Sequence, residues 1–221
     1  MQIAIDGPAS AGKSTVAKII AQQLNFIYID TGAMYRAATV IAMRRNLDLD
    51  DEDAIVAALN EAGISFKIID GQQHVLLGQE DVTTEIRTPE VSANVSQVSA
   101  LPKIREKLVA LQRELAGQNN VIMDGRDIGT TVLPDAELKI FLVASARSRA
   151  QRRVLDLQQR GIKSDKTVEE IEADIAARDY KDSHREISPL KKADDAIEVD
   201  TTEMGIEEVV ETIIKLIKEK S

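Results

Sequence analysis

The chain has 221 residues with 28 basic and 37 acidic side chains, giving a net charge of −9 with both histidines neutral. That acidity argues against coating nucleic acid or an anionic membrane, while a local basic pocket for a small anion stays open. Aromatics are only 3% and cysteine is absent, so no base-stacking platform, disulfide framework or thiolate metal site is expected. The hydrophobic fraction of 43% suits one sizeable core with at most a small inserted subdomain. No apolar run approaches ~20 residues, and the N-terminus lacks a basic stretch followed by an apolar one. The expected compartment is cytoplasmic.

Short apolar runs alternate with helical patterns along the chain. Ile3–Ile5 reads as a buried strand, followed by a helix over Lys13–Leu24. Phe26–Ile29 is a second strand, followed by a helix over Met34–Arg45. Ile64, Phe66 and Ile68 then alternate with polar residues, and Asp70-Gly71 separates them from His74–Leu77. This is a hairpin signal, and it predicts a small β insert over Gly63–Thr84. Thr88-Pro89 opens a helix with Thr as cap and Pro in the first turn. After Pro102, Ile104, Leu108, Leu111 and Leu115 form one helical stripe closed by Gly117. Val121–Met123 and Leu138–Val143 are further strands, the latter followed by a helix from about Ala146. Thr167-x-x-Glu170 is a capping box, and Ile171, Ile175, Arg178, Asp182 and Arg185 fall on one face of the helix it opens. Ala196–Val199 is the last strand, before a helix with Val209, Ile213 and Leu216 on one face. Strand–helix alternation with continuous apolar strands predicts a doubly wound α/β fold. Its five-stranded parallel sheet would carry helices on both faces.

The strongest chemical signal is Gly7-Pro8-Ala9-Ser10-Ala11-Gly12-Lys13-Ser14-Thr15, a phosphate-binding loop between a strand and a helix. Glycines let backbone N–H groups converge on phosphate oxygens, and the helix presents its positive end to the anion. Lys13 would reach the outer phosphates. Ser14 would hold Mg²⁺ through its hydroxyl, because Mg²⁺ prefers oxygen ligands. Such a loop defines a nucleoside triphosphate site and leaves a GTPase switch, a motor ATPase and a small-molecule or nucleotide kinase open. The Asp-x-x-Gly and Asn-Lys-x-Asp elements of a GTPase are missing.

A kinase needs a second anion site. Thr31 and Arg36 open the helix after the second strand, near the positive end of its dipole. Asp124, Arg126 and Asp127 stand at the carboxyl end of a strand, where ligands of open α/β sheets bind. The face carrying Ile171 and Ile175 turns charged at Arg178, Asp182 and Arg185. Arg149, Arg152 and Arg153, with Arg160-Gly161 and Lys163–Lys166, form a basic, Gly-containing segment suited to a mobile lid that excludes water.

Taken together, IDGPASAGKST, IDTGAMYR, the NVSQVSALPKIRE region, DGRDIGT, and RDYKDSHREISPL with KKADDA resemble the bacterial cytidylate (CMP) kinase family of nucleoside monophosphate kinases along nearly the whole chain. The long insert in the acceptor region also fits that family. The resemblance implies a single P-loop kinase domain with a core over about 1–30, 86–150 and 190–221, an acceptor region over about 31–85 with its insert at 63–84, and a lid over about 153–167. It implies ATP and Mg²⁺ with CMP or dCMP as acceptor. With no dimer stripe in the sequence the default expectation is a monomer, and the acidic composition argues against nucleic acid or membrane as partners. Gly7 to Thr15 would hold the ATP phosphates. Thr31, Arg36, Arg126 and Arg185 would surround the acceptor phosphate; Thr31 stands where some relatives have Ser, and the hydroxyl is kept. Ser96, Arg105 and Asp127 would read the cytosine edge, and Arg178 and Asp182 would hold the ribose. Lys13, Arg149 and Arg153 would act on the moving phosphoryl group. Shikimate, UMP or AMP as acceptor, and a non-transferring nucleotide switch, are the alternative readings.

Overall fold

A computed structural model describes residues 1–69, 72–117, 119–159, 161–162 and 164–220. The expected turn at Asp70-Gly71 and the lid residues Arg160 and Lys163 lie outside the described residues.

The chain divides into two units, Met1–Ile29 with Ala116–Ser221, and Asp30–Leu115. The first is built on a five-stranded parallel sheet of β1 (Gln2–Asp6), β2 (Ile27–Asp30), β6 (Val121–Gly125), β7 (Leu138–Val143) and β8 (Ile197–Asp200), in the order β2-β6-β1-β7-β8. Every residue of β6 is buried, as are four of the five in β1, so these strands are covered on both faces. That is why their sequences read as unbroken apolar runs. Around the sheet lie α1 (Lys13–Leu24), α6 (Ala146–Gln159), α7 (Val168–His184) and α8 (Ile206–Lys220). Ile3, Ile5, Val16, Ile20, Ile122, Ile140, Leu142 and Ile213 make one core in which α1 and α8 pack with the sheet. Truncating a fully buried Ile20 to Ala costs about 2–5 kcal/mol at such a site.

The second unit contains α2 (Thr31–Arg44), α3 (Glu52–Ala62), α4 (Pro89–Val98), most of α5 (Pro102–Ala116) and an antiparallel sheet of β3 (Ile64–Ile69), β4 (Gln72–Leu77) and β5 (Glu80–Asp81). Met34, Ala38, Ile55, Leu59, Val75, Ile86, Val95, Ile104 and Leu108 form its core.

Several expectations need correction. The helix expected from Met34 starts at Thr31, because the Asp30 carboxylate accepts the Ala33 N–H and caps it there. The predicted hairpin has a third strand, β5, and α3 was not anticipated. The stripe of α5 is buried at Ile104 and Leu108, but Leu115 at its end is 36% exposed. On α8 the buried position is Ile217 rather than Leu216, which is half-buried. The capping box at Thr167 and Glu170 forms with both reciprocal bonds, but α7 stops at His184. Arg185 has left the helical region at φ −65°, ψ 145°, so it does not share the helix face of Arg178 and Asp182. The first part of the expected lid, Arg153 to Gln159, is helical, as the last turns of α6.

Candidate active site

β1 delivers the chain into Gly7, whose φ of +147° is combined with close approach to β7: a Cβ there would lie 2.2 Å from the Leu142 carbonyl oxygen. Ser10 and Gly12 also have positive φ, and Gly12 caps α1 without a side chain. The first N–H groups of α1 therefore carry the helix's positive end with no side-chain cap from Gly12.

Lys13 is buried beneath this loop, its ammonium donating to the Pro8 carbonyl at 2.7 Å. Burial pushes its pKa down to about 7. Arg126 and Arg178 push the same way, while Asp124 and Asp6 oppose them. The Ser14 hydroxyl donates to Asp124 at 2.8 Å, and Tyr28 donates to the other oxygen of that carboxylate at 2.7 Å. A hydroxyl and a buried carboxylate side by side, both hard oxygen donors next to a phosphate loop, fit a Mg²⁺ ion that keeps several waters and binds phosphate.

Asp6 ends β1 and is 4% exposed. Its two oxygens accept the N–H groups of Ile128 and Gly129, both at 2.8 Å, at the start of a wide turn whose carbonyls bond five residues ahead. Burial raises its pKa to about 6 despite these two bonds, and Asp127 adds to the rise.

In the same unit the cations gather around two carboxylates. Arg126 donates to Asp182 at 3.1 Å, and Arg178 lies 3.9 Å from the same oxygen. Arg185 lies 3.6 Å from Asp127, both nearly buried. Burial alone would raise the Asp182 pKa, but Arg126, Arg178 and Arg185 together hold it below the usual carboxylate value. Arg149 is buried and donates to the Ala9 carbonyl at 3.1 Å, so it reaches the phosphate loop. Arg153 pairs with Asp156 one turn along its own helix, at 3.3 Å.

The second unit has its own polar groups. Thr31 is buried in the first turn of α2. Asp30, buried at the cap, pairs with Arg36 at 3.5 Å and with Arg87 at 3.3 Å. Arg105 is 3% exposed, lies over the Tyr35 ring at 5.4 Å, and donates to the Ser99 carbonyl at 3.1 Å. The Ser99 hydroxyl donates in turn to the carbonyl of Ser96 at 3.2 Å, which links Ser96 and Arg105 through one residue.

Three side chains at these sites were missed from the sequence-derived set: Asp6, behind the 128–129 turn; Asp179, which bonds both Arg149 and the phosphate loop; and Arg87, the second cation on Asp30. Asp124, expected at the carboxyl end of its strand, is the partner of Ser14.

A parallel sheet whose first strand runs into a phosphate loop, with a buried lysine and a buried arginine bonded to that loop, is the architecture of a P-loop nucleotide-binding protein. The family model described as cytidylate kinase matches residues 3–219. The chain is 65% identical over 220 residues to a cytidylate kinase of Lactobacillus johnsonii, covering 100% of this chain and 95% of that one. It is 59% identical over 211 residues to a cytidylate kinase of Streptococcus sanguinis, covering 95% and 93%. An uncharacterised protein from Eubacterium ventriosum, 14% identical, aligns in structure with a TM-score of 0.51 over 99% of this chain and 98% of that one, which speaks for the fold alone. The chain belongs to the cytidylate kinase family, and it is accordingly a kinase. No helix among the described residues is long and apolar enough to cross a membrane.

Proposed function

We propose that the chain transfers the γ-phosphoryl group of ATP to the phosphate of CMP, with dCMP as a second acceptor, giving ADP and CDP or dCDP. The observation that carries this reading is geometric: α7, which bears Arg178 and Asp182, meets the phosphate loop where Asp179 accepts the Ala9 N–H, and Arg126 donates to Asp182 on the same helix, so the donor loop and the acceptor cations share one neighbourhood. The naming of the curated relatives supports CMP as the acceptor.

In this reading the loop from Gly7 to Thr15 holds the ATP phosphates. Thr31, Arg36, Arg126 and Arg185 hold the acceptor phosphate, and Arg178 and Asp182 hold the ribose. Asp127, Arg105 and Ser96 read cytosine, whose exocyclic amine donates to a carboxylate while its ring nitrogen and carbonyl accept. Uracil presents a carbonyl where cytosine has the amine, and Asp127 repels it. Ser14 and Asp124 hold Mg²⁺, which when bound neutralises charge on the outer phosphates.

Transfer is direct and in line. A new P–O bond forms to an oxygen of the acceptor phosphate as the bond to the ADP oxygen breaks. The acceptor oxygen is already anionic, so no general base is required. Lys13 and Arg149 stabilise charge on the moving group. Arg153 is the weaker candidate for this role, given its pairing with Asp156. The lid closes around the substrates to exclude water. The enzyme works in the cytoplasm as a monomer.

Lys13→Ala tests the donor half: it should abolish ADP release with CMP present while circular dichroism stays native. Near-normal turnover in that folded variant would reject the assignment.

A further inference from the structure

Asp179 lies on α7 between two residues assigned to the acceptor, Arg178 and Asp182, yet its bonds go elsewhere. One carboxylate oxygen accepts the Ala9 N–H at 3.4 Å. The other accepts Arg149 Nη1 at 2.6 Å, and the same Nη1 donates to the Ala9 carbonyl at 3.1 Å. The three groups close a ring in which Ala9 of the phosphate loop is gripped at both of its backbone polar groups. Arg149 Nε is fixed as well, on the Ala144 carbonyl at 3.0 Å where β7 gives way to α6. Arg149 and Asp179 side chains are 8% and 19% exposed, so the ion pair is shielded from solvent.

This arrangement is more than a surface ion pair. A long arginine beside a phosphate loop has several rotamers, and orienting it in advance lowers the cost of using it when charge develops on a phosphoryl group. A carboxylate that holds the arginine through a charge-assisted bond, and aims the adjoining backbone with its second oxygen, does both tasks at once. It also ties the helix bearing Arg178 and Asp182 to the donor loop.

We propose that Asp179 is a positioning residue for the donor phosphates: it orients Arg149 and the Ala9 backbone, and touches neither nucleotide. The effect on ATP stands on the geometry of the loop alone, whereas the effect on turnover rests on the reading of the chain as a CMP kinase.

The test compares wild type with Asp179→Ala, Asp179→Asn, Arg149→Ala and the Asp179→Ala/Arg149→Ala double variant. ATP affinity is measured by calorimetry without acceptor, and turnover with ATP and CMP is measured separately. Asp179→Ala should weaken ATP binding at least fivefold and lower kcat at least tenfold, with KM for CMP within threefold of wild type. Asp179→Asn keeps one acceptor oxygen and the side-chain shape, and it should fall between the two. The double variant should be no worse than Arg149→Ala alone within threefold, because the two residues act as a unit. Wild-type ATP affinity in Asp179→Ala, or losses that multiply in the double variant, would overturn the inference, and Asp179→Asn decides it in the same way if the alanine variant does not fold. Should the wild-type chain bind ATP but fail to phosphorylate CMP, the proposed function falls, while the ATP comparison still decides the role of Asp179.

Discussion

Gly7 and Gly12 both belong to the phosphate loop and both have positive φ, yet substituting them should have unequal consequences. A Cβ at Gly7 would sit 2.2 Å from the Leu142 carbonyl oxygen and 3.1 Å from its carbon, and real Cβ atoms essentially never come within 3.0 Å of such an atom. Leu142 is fully buried on β7, which is paired with β1 on one side and β8 on the other, so it has little room to move. Gly7→Ala therefore combines backbone strain of about 1–3 kcal/mol with an overpacking cost of about 1–3 kcal/mol. At Gly12, with φ +91°, a Cβ would meet nothing within 4 Å, so only the strain applies. Urea unfolding followed by far-ultraviolet circular dichroism should place Gly7→Ala below Gly12→Ala by about 1–3 kcal/mol, a large share of the stability of an ordinary domain. Equal destabilisation by the two variants, or a larger loss at Gly12, would refute the account of the loop's packing against β7.

Two further outcomes follow from the site. Asp127→Ala should lower kcat/KM for CMP by about 10–100-fold, the loss expected for a hydrogen bond to a charged group, and erase the preference for CMP over UMP; an unchanged preference would remove Asp127 from base reading. Asp6 should impose a pH dependence on stability. Its native pKa of about 6 lies above the ordinary 3.8, so between these values the folded state binds a proton that the unfolded state has lost. Its contribution is then fullest below pH 3.8 and is lost as pH rises towards about 6, by about 3 kcal/mol in all. Unfolding curves of wild type and Asp6→Asn across pH 4 to 7 should converge or cross in that sense, and a constant difference would contradict the buried, raised carboxyl.

Local pattern made much of this legible. The bounds of α1 and β7 were read correctly because a phosphate loop punctuates one and an uninterrupted apolar run marks the other. The Thr167 capping box was readable because both partners lie within four residues. α3 was missed although Asp51 caps it and Ile55, Ala58 and Leu59 face inward, a signal diluted by the acidic stretch before it. What the sequence hid were contacts between distant positions. Ser14 meets Asp124 across 110 residues, and Ala9 meets Asp179 across 170. No periodicity announces such pairs; they arise only when parallel strands bring their carboxyl ends to one edge.

The central claim is that CMP receives the phosphoryl group of ATP. The direct measurement supplies the wild-type protein and Mg²⁺ with γ-labelled ATP and, in separate reactions, CMP, dCMP, UMP, AMP and shikimate, and follows label into product. The account predicts labelled CDP as the fastest product, dCDP next, and the other acceptors at least tenfold slower. Faster labelling of UMP, AMP or shikimate, or ATP turnover that no acceptor alters, would contradict it.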